Sequence, residues 1–491
     1  MRLPIPERFS FQAISIFAAL VFVGQMIEGT DFAFAILTAV FIGIWAVAFN
    51  VTGGIQYTSG AFIFFNGLLT AIFGLVVKIL LGQPGERNLL SPRTTMSCYC
   101  IGMAATAVAA FLSRNLRSRQ ALLKNFDSLA AMKTGAITCL IFSVLLGAFS
   151  GSAMQNGSIG SAIGQINRFP LMGIMLATTY EVRISNGKRS TNWIVWTGLL
   201  LNVALGLISF SKEGMLIGPA CWIVAAALNR FSFSARQILL CVVGLAFMVY
   251  YLVPYSQYVR NLHGATRAES VAVAALYLSD LNKTRQLYLD AIAEVDIAND
   301  PHLYDEREGF LDRMVMLAPD DALIDFTDKG NVFGLDPTFQ TYANVIPHFL
   351  WHDKVAVNTG NTYAHELGLL AEDDVTTGIS LSPVADAYHQ ARWLGLLLLL
   401  PINMFIAFLI ADSVAGSSKY SIWAMLPILE VSHLAPEGGL GGCVYLSTYW
   451  VIAIIFLYGT TRNIPTFLRN SIKRISATQA DFNTIPRPTP P

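Results

Sequence analysis

Charge is what this chain has least of. Charged residues make up 13% of it and the formal net charge is zero, whereas a soluble domain carries roughly 25% charge. No basic excess marks a face for a polyanion, which argues against a nucleic-acid partner. Cysteine is sparse too. The six residues Cys98, Cys100, Cys139, Cys221, Cys241 and Cys443 lie in or beside apolar runs, and none falls in the long polar region. That excludes a disulfide scaffold, and no CxxC pair signals a redox or zinc site. GxSxG, Walker A and dinucleotide fingerprints are missing, which removes the common soluble catalytic classes. The intramembrane carboxylate chain of a proton-coupled pump is missing as well, since Glu430 stands alone in its apolar run.

What fills the sequence instead is apolar length. Hydrophobic residues make up 54% and the mean hydropathy is +0.53. Runs near the ~20-residue bilayer-spanning length recur along most of the chain, predicting an all-α polytopic membrane protein. About twelve spans are expected, at roughly 10–27, 32–50, 59–81, 95–113, 130–150, 164–181, 192–210, 212–229, 237–254, 393–411, 420–436 and 440–458. The first run is long for a signal peptide and lacks a small-x-small cleavage site, so it reads as an uncleaved span. The weakest is 420–436, which Pro427, Glu430 and His433 interrupt.

Lysine and arginine accumulate in cytoplasmic loops. Arg114, Arg117, Arg119, Lys124 and Lys133 mark one connection as cytoplasmic. Alternation from there puts Arg183, Lys188, Arg189, Arg230 and Arg236 inside, together with both termini. Omitting 420–436 would send the basic carboxyl-terminal tail outside, so charge argues for keeping it. The expected organisation is a membrane domain of about nine spans over 1–254, an extracytoplasmic insertion over 255–391, a three-span membrane segment over 392–463 and a disordered cytoplasmic tail over 464–491.

The insertion holds 21 of the 32 acidic residues, 8 of the 32 basic ones and six of the seven histidines. A connection this long is more than a linker. Apolar spacing predicts helices over Ala272–Ile297 and Glu308–Phe326. Ser382-Pro383 reads as an N-cap followed by proline at the first helical position, opening a helix expected to run on into the span at 393.

Several side chains at the outer turns and in the insertion suit chemistry on an anionic substrate. In ISFSKEGMLIG, Ser211 is placed to cap a helix whose amino end faces outward, a natural phosphate site. Lys212 adds a charge and Glu213 a potential base; simple capping and snorkelling account for the same residues. Arg168 stands before Phe169-Pro170 at a similar helix start, where an arginine needs a partner or a task. Arg313 lies on an apolar helix face. In IPHFLWHDKVAVNTGNTYAHELG, His348, His352 and His365 are candidate bases, though structural hydrogen bonding is the commoner role. Neither Asp320-Asp321 nor Glu372-Asp373-Asp374 has metal-ligand spacing, and the two halves of an H-E-x-x-H motif never meet.

The layout of many spans, one large late outside insertion and a short outside S-basic-x-G turn resembles the Wzy-type O-antigen and exopolysaccharide polymerases, relatives of the O-antigen ligases. GFLDRMVML, VIPHFLWHDK, and TTGISLSPVADAY followed by ARWLG resemble that family's short motifs in order, with His348 where an arginine is usual and with His352 and Val355 where prolines are usual. The resemblance implies an inner-membrane, metal- and cofactor-independent glycosyltransferase acting on undecaprenyl-diphosphate-linked oligosaccharides at the extracytoplasmic face, with chain-length and export proteins as potential partners. It implies Arg168, Lys212, Arg313, Lys354 and Arg392 as diphosphate-binding cations. His365, His348 or Glu213 would be the base for the acceptor hydroxyl, with Trp351 and Tyr363 as stacking faces for sugar. An O-antigen ligase is the near alternative. A lipid-linked oligosaccharide flippase is the distant one, disfavoured by the single very long insertion.

Overall fold

A computed structural model describes residues 1–3, 5–153, 166–260, 267–293, 301–305, 311–346, 351, 358–375 and 377–464. Among them the chain is helical, with only isolated β-bridges. The helices are α1 Phe11–Ile27, α2 Phe32–Thr52, α3 Thr58–Leu80, α4 Pro92–Leu116, α5 Leu129–Ala153, α6 Phe169–Ile184, α7 Trp193–Ile208, α8 Lys212–Leu228, α9 Ala235–Arg260, α10 Arg267–Leu278, α11 Leu281–Ala293, α12 Leu317–Asp328, α13 Asp336–Ala343, α14 Thr359–Glu366, α15 Pro383–Ala415, α16 Met425–Glu437 and α17 Gly439–Ile464. Every one of the twelve apolar segments falls on a helix. Seven helices are long and apolar enough to cross a membrane: α2, α3, α4, the Leu129–Gly147 part of α5, α9, α15 and α17. The other five (α1, α6, α7, α8 and α16) are helices of 13 to 17 residues.

One end of the bundle gathers the amino terminus and the end of α17. Met1 donates to Phe233 O, Leu122 N–H to Ser413 O and Trp423 Nε1 to Lys124 O, while Arg462 pairs with Asp127. The insertion occupies the opposite end. It does not sit there as a separate cap, because its residues share one hydrophobic cluster with the spans, including Leu303, Val315, Leu323, Tyr363 and Val384.

Helix rise shows how far it descends. Met316 N–H donates to Leu69 O at 3.3 Å, and Leu69 lies about 16 Å along α3 from Leu80 at 1.5 Å per residue. The acceptor falls in a π turn, Leu68–Ile72, where the wide turn loosens the usual backbone ladder and leaves a carbonyl open to a foreign donor. Tyr342 donates to Asn403 Oδ1 at 2.7 Å, and Tyr449 donates to Asn344 O. Asn403 is again about 16 Å from Arg392 along α15.

The sequence predicts one helix leading into the span at 393, and the structure breaks it. Ser382 caps as expected, accepting from Ala385 N–H at 3.2 Å. Ala391 and Arg392 then leave helical geometry, with Arg392 at φ +49°. The chain doubles back so closely that a Cβ on Gly395 would lie 1.8 Å from Ala387 O. Val384 and Leu400 consequently flank the same residue, Gly102 of α4. The helix expected over Ala272–Ile297 is also split, because Asp280 stops α10 and caps α11 through Lys283 N–H. Of that expected over Glu308–Phe326, residues 308–310 lie outside the described residues, and from 311 on a 3-10 turn at Asp312–Met314 precedes an α-helix that starts at Leu317, where Pro319 sits in the first turn and needs no N–H donor. The carboxyl-terminal tail beyond Ile464 lies outside the described residues.

Gly102 gives a direct test of this descent. A Cβ there would meet the Val384 methyls at 2.8 and 3.1 Å. Gly102→Leu should destabilise by about 1–3 kcal/mol through overpacking, measured as a lower melting temperature in detergent. Adding Val384→Ala should recover part of the loss.

Candidate functional site

Two polar clusters lie under the insertion, on either side of the first turns of α17. The larger is rich in carboxylates. Asp386, on the first arm of α15, accepts from Tyr363 OH at 3.0 Å, Gln390 Nε2 at 2.8 Å and Leu440 N–H at 2.8 Å. Gln390 Oε1 in turn accepts from Thr338 Oγ1 at 2.7 Å. One carboxylate therefore ties α13, α14, α15 and α17 together. Gly439 permits the approach, since a Cβ there would come within 2.7 Å of Asp386 Oδ2.

Asp320 and Asp321 bring α12 against α4. Asp321 accepts from the backbone N–H groups of Leu90 and Ser91 and from Thr95 Oγ1. It satisfies the free amino end of α4, where negative charge is favoured. Asp320 accepts from Ser382 N–H at 2.9 Å and Tyr99 OH at 2.7 Å. Burial outweighs both hydrogen bonds and pushes its carboxyl up to about 7.

Next to these stands a Thr327–His389–Glu366 chain. His389 Nδ1 is 2.9 Å from Thr327 Oγ1, and Nε2 is 3.0 Å from Glu366 Oε2. Thr327 donates its own proton to Leu323 O, so it must accept from His389 Nδ1–H. The Nε2 contact then requires a proton between the nitrogen and the carboxylate, and the pair is net neutral wherever that proton sits. Burial raises the Glu366 carboxyl. Tyr363 packs edge-on to His389 and Phe333, with ring centroids 4.7 and 5.4 Å away.

The smaller cluster gathers residues far apart in sequence. Arg168, at the amino end of α6, sets Nε 2.8 Å from Glu430 Oε1 and donates from Nε and Nη2 to Tyr445 OH at 3.1 and 2.7 Å. Glu213, in the first turn of α8, is close enough to act electrostatically on both Arg168 and Glu430. Ser211 caps α8 as predicted, accepting from Gly214 N–H at 3.0 Å. Arg168 thus stands at the amino end of α6, held by α16 and α17, and none of the described residues engages its Nη1.

The structure brings Glu213 within electrostatic reach of Arg168, with Lys212 its neighbour in the chain, and sets the other described candidates elsewhere. His365 binds Asp374 O through Nε2 at 2.8 Å, which fixes the proton on that nitrogen and pins the following turn. Arg392 pairs with Asp328 at 3.0 Å. Trp351 is exposed. Tyr363, expected to offer a face to sugar, is instead 1% exposed, its ring enclosed by His389 and Phe333 and its hydroxyl on Asp386. His348 and Lys354 lie outside the described residues, as do His352 and the side chain of Arg313. Sequence reasoning missed Asp386, His389 and Gln390, whose i, i+3, i+4 spacing in SPVADAYHQAR was the available signal. No group of three or more His, Cys, Asp or Glu among the described residues could hold a metal ion. Comparison with protein-family models, curated proteins and solved structures finds no match in any of the three.

Asp320 supplies a pH test. Its folded-state value of about 7 exceeds the ordinary 3.8, so the native chain binds the extra proton and loses stability as pH rises through that window. Asp320→Asn removes the loss. Its melting temperature should exceed that of the wild type at pH 8, with a smaller gap at pH 5.

Proposed function

We propose that this chain is a glycosyltransferase of the polysaccharide-polymerase type, joining undecaprenyl-diphosphate-linked oligosaccharide repeat units on the extracytoplasmic face of a bacterial inner membrane. In this reading the five shorter helices complete twelve crossings, both termini are cytoplasmic, and the 255–391 insertion descends into the bundle from outside. The observation that carries it is Arg168, held by Glu430 and Tyr445 at the amino end of α6, with Glu213 of the first turn of α8 within electrostatic reach. A cation and a potential base with two positive helix ends suit a reaction in which an anionic group departs while a hydroxyl attacks.

The acceptor sugar hydroxyl gives its proton to Glu213 as its oxygen forms a bond to the anomeric carbon of the donor glycan. The bond from that carbon to the diphosphate breaks, and the electron pair leaves on the diphosphate oxygen. Arg168, through its open Nη1, and Lys212 meet the negative charge developing there. Glu430 and Tyr445 hold the guanidinium in place, which supports a fixed rather than a searching cation.

Glu213→Gln should reduce a glycan ladder to single repeats while protein levels hold. Arg168→Ala alone would leave Glu430 buried without its partner, so the informative variant is Arg168→Ala with Glu430→Gln, which should abolish polymer as well. Full-length ladders from both would overturn the assignment. A periplasm-active reporter fused near Asp320 should be active and one near Lys124 silent; the reverse would defeat the orientation.

A further inference from the structure

We propose a second binding site, for a phosphate group, at the opposite end of the bundle from the insertion. A cleft of about 720 Å³ lies between the segment before α1, the turn joining α2 to α3, and the end of α4. Three arginines from two parts of the chain line it: Arg8 before α1, and Arg114 and Arg117 at the end of α4.

Its walls are built rather than incidental. The segment before α1 is clamped where Asn50 exchanges two hydrogen bonds with the Phe9 backbone, at 2.8 and 3.0 Å, and where Ile55 N–H reaches Pro6 O at 3.1 Å. Gly54, at φ +90°, lets the turn close on Glu7, whose carbonyl a Cβ would meet at 2.4 Å. Arg117 is fixed from below by buried Asp412 at 3.0 Å and stacks 3.6 Å over the Tyr57 ring. Asp412 is itself oriented by Ser59, through N–H at 3.2 Å and Oγ at 2.6 Å. Arg114 is held by donation to Val51 O at 2.6 Å, a contact that positions the guanidinium without neutralising it.

The charges do not balance. Asp412 answers Arg117, and Glu7 answers Lys419 at 2.7 Å. Arg8 and Arg114 have no carboxylate at ion-pair distance among the described residues, and Glu7, which also lines the cleft, is taken by Lys419, so the cleft keeps a net positive charge facing a concave space. Basic residues are common at cytoplasmic span ends, but those lie along a surface. These converge on a cavity of ligand size, and planar guanidinium groups match phosphate oxygens two at a time. The phosphate could belong to an anionic lipid headgroup or be free in solution, and the two sources are separable.

The full chain, purified in detergent, is melted with increasing phosphatidylglycerol, phosphatidylcholine or inorganic phosphate. Saturable stabilisation is expected from phosphatidylglycerol if the ligand is a headgroup, and from inorganic phosphate if it is a free anion. Arg8→Gln with Arg114→Gln should weaken it on the order of thirtyfold, about fivefold for each charge at the interface. Lys188→Gln, an exposed basic residue outside the cleft, should leave it unchanged. If the double variant fails to fold, Arg8→Gln alone reads the same effect, since Arg8 makes no hydrogen bond or ion pair to the described residues. No saturable stabilisation by either phosphate source, equal stabilisation by phosphatidylcholine, or an equal loss in Lys188→Gln would overturn the site.

Discussion

A polar group carried into the interior of a helical bundle must find its partners there, because neither lipid nor apolar side chains can supply them. The rest of this structure depends on how Asp320, Asp321 and Asp386 meet that constraint. Each receives two or three hydrogen bonds from donors on other segments of the chain. These contacts allow the acidic insertion to sink among the spans rather than ride above them. Removing one donor would leave a buried carboxylate short of partners, a far larger penalty than the net worth of the bond it lost.

The same constraint shapes the cluster around Arg168. Glu430 looks misplaced in its apolar run, yet it lies 2.8 Å from the guanidinium of a residue 262 positions earlier in the chain. An isolated charge in either segment would be costlier than the pair, whose guanidinium Tyr445 also holds. The arginine is thereby fixed at the amino end of α6.

Much of the helical layout was legible from hydropathy, since nearly every apolar run is long and uninterrupted. Single caps were legible too: Ser211 and Ser382 each accept from the backbone N–H three residues on. The reversal at Ala391–Arg392 was not, because nothing in YHQARWLGL locally forbids a continuous helix, and the break follows from Gly395 accepting close contact with Ala387. Nor could hydropathy reveal the depth of the insertion, which rests on pairings such as Met316 with Leu69 across the chain. The pairing of Arg168 with Glu430 was hidden for the same reason, whereas the proximity of Lys212 and Glu213 is a matter of adjacency. Histidines drew attention by their reactivity, but among those described the one with the most connected surroundings is His389, marked only by its spacing from Asp386.

The order of synthesis gives the descent of the insertion a further meaning. Helices α3 and α4 emerge from the ribosome well before Met316, Asp320, Asp321 and Val384, which pack against them, and α16 and α17 come last. The early helices therefore cannot reach their final packing on their own. They must wait, loosely associated, until a strongly acidic stretch has been made and has packed back down between them. Assembly of such a bundle is governed by contacts of long sequence separation, which are slow to form, so its half-built state exposes a vacant, polar-lined interior to whatever chaperone or insertion machinery attends it.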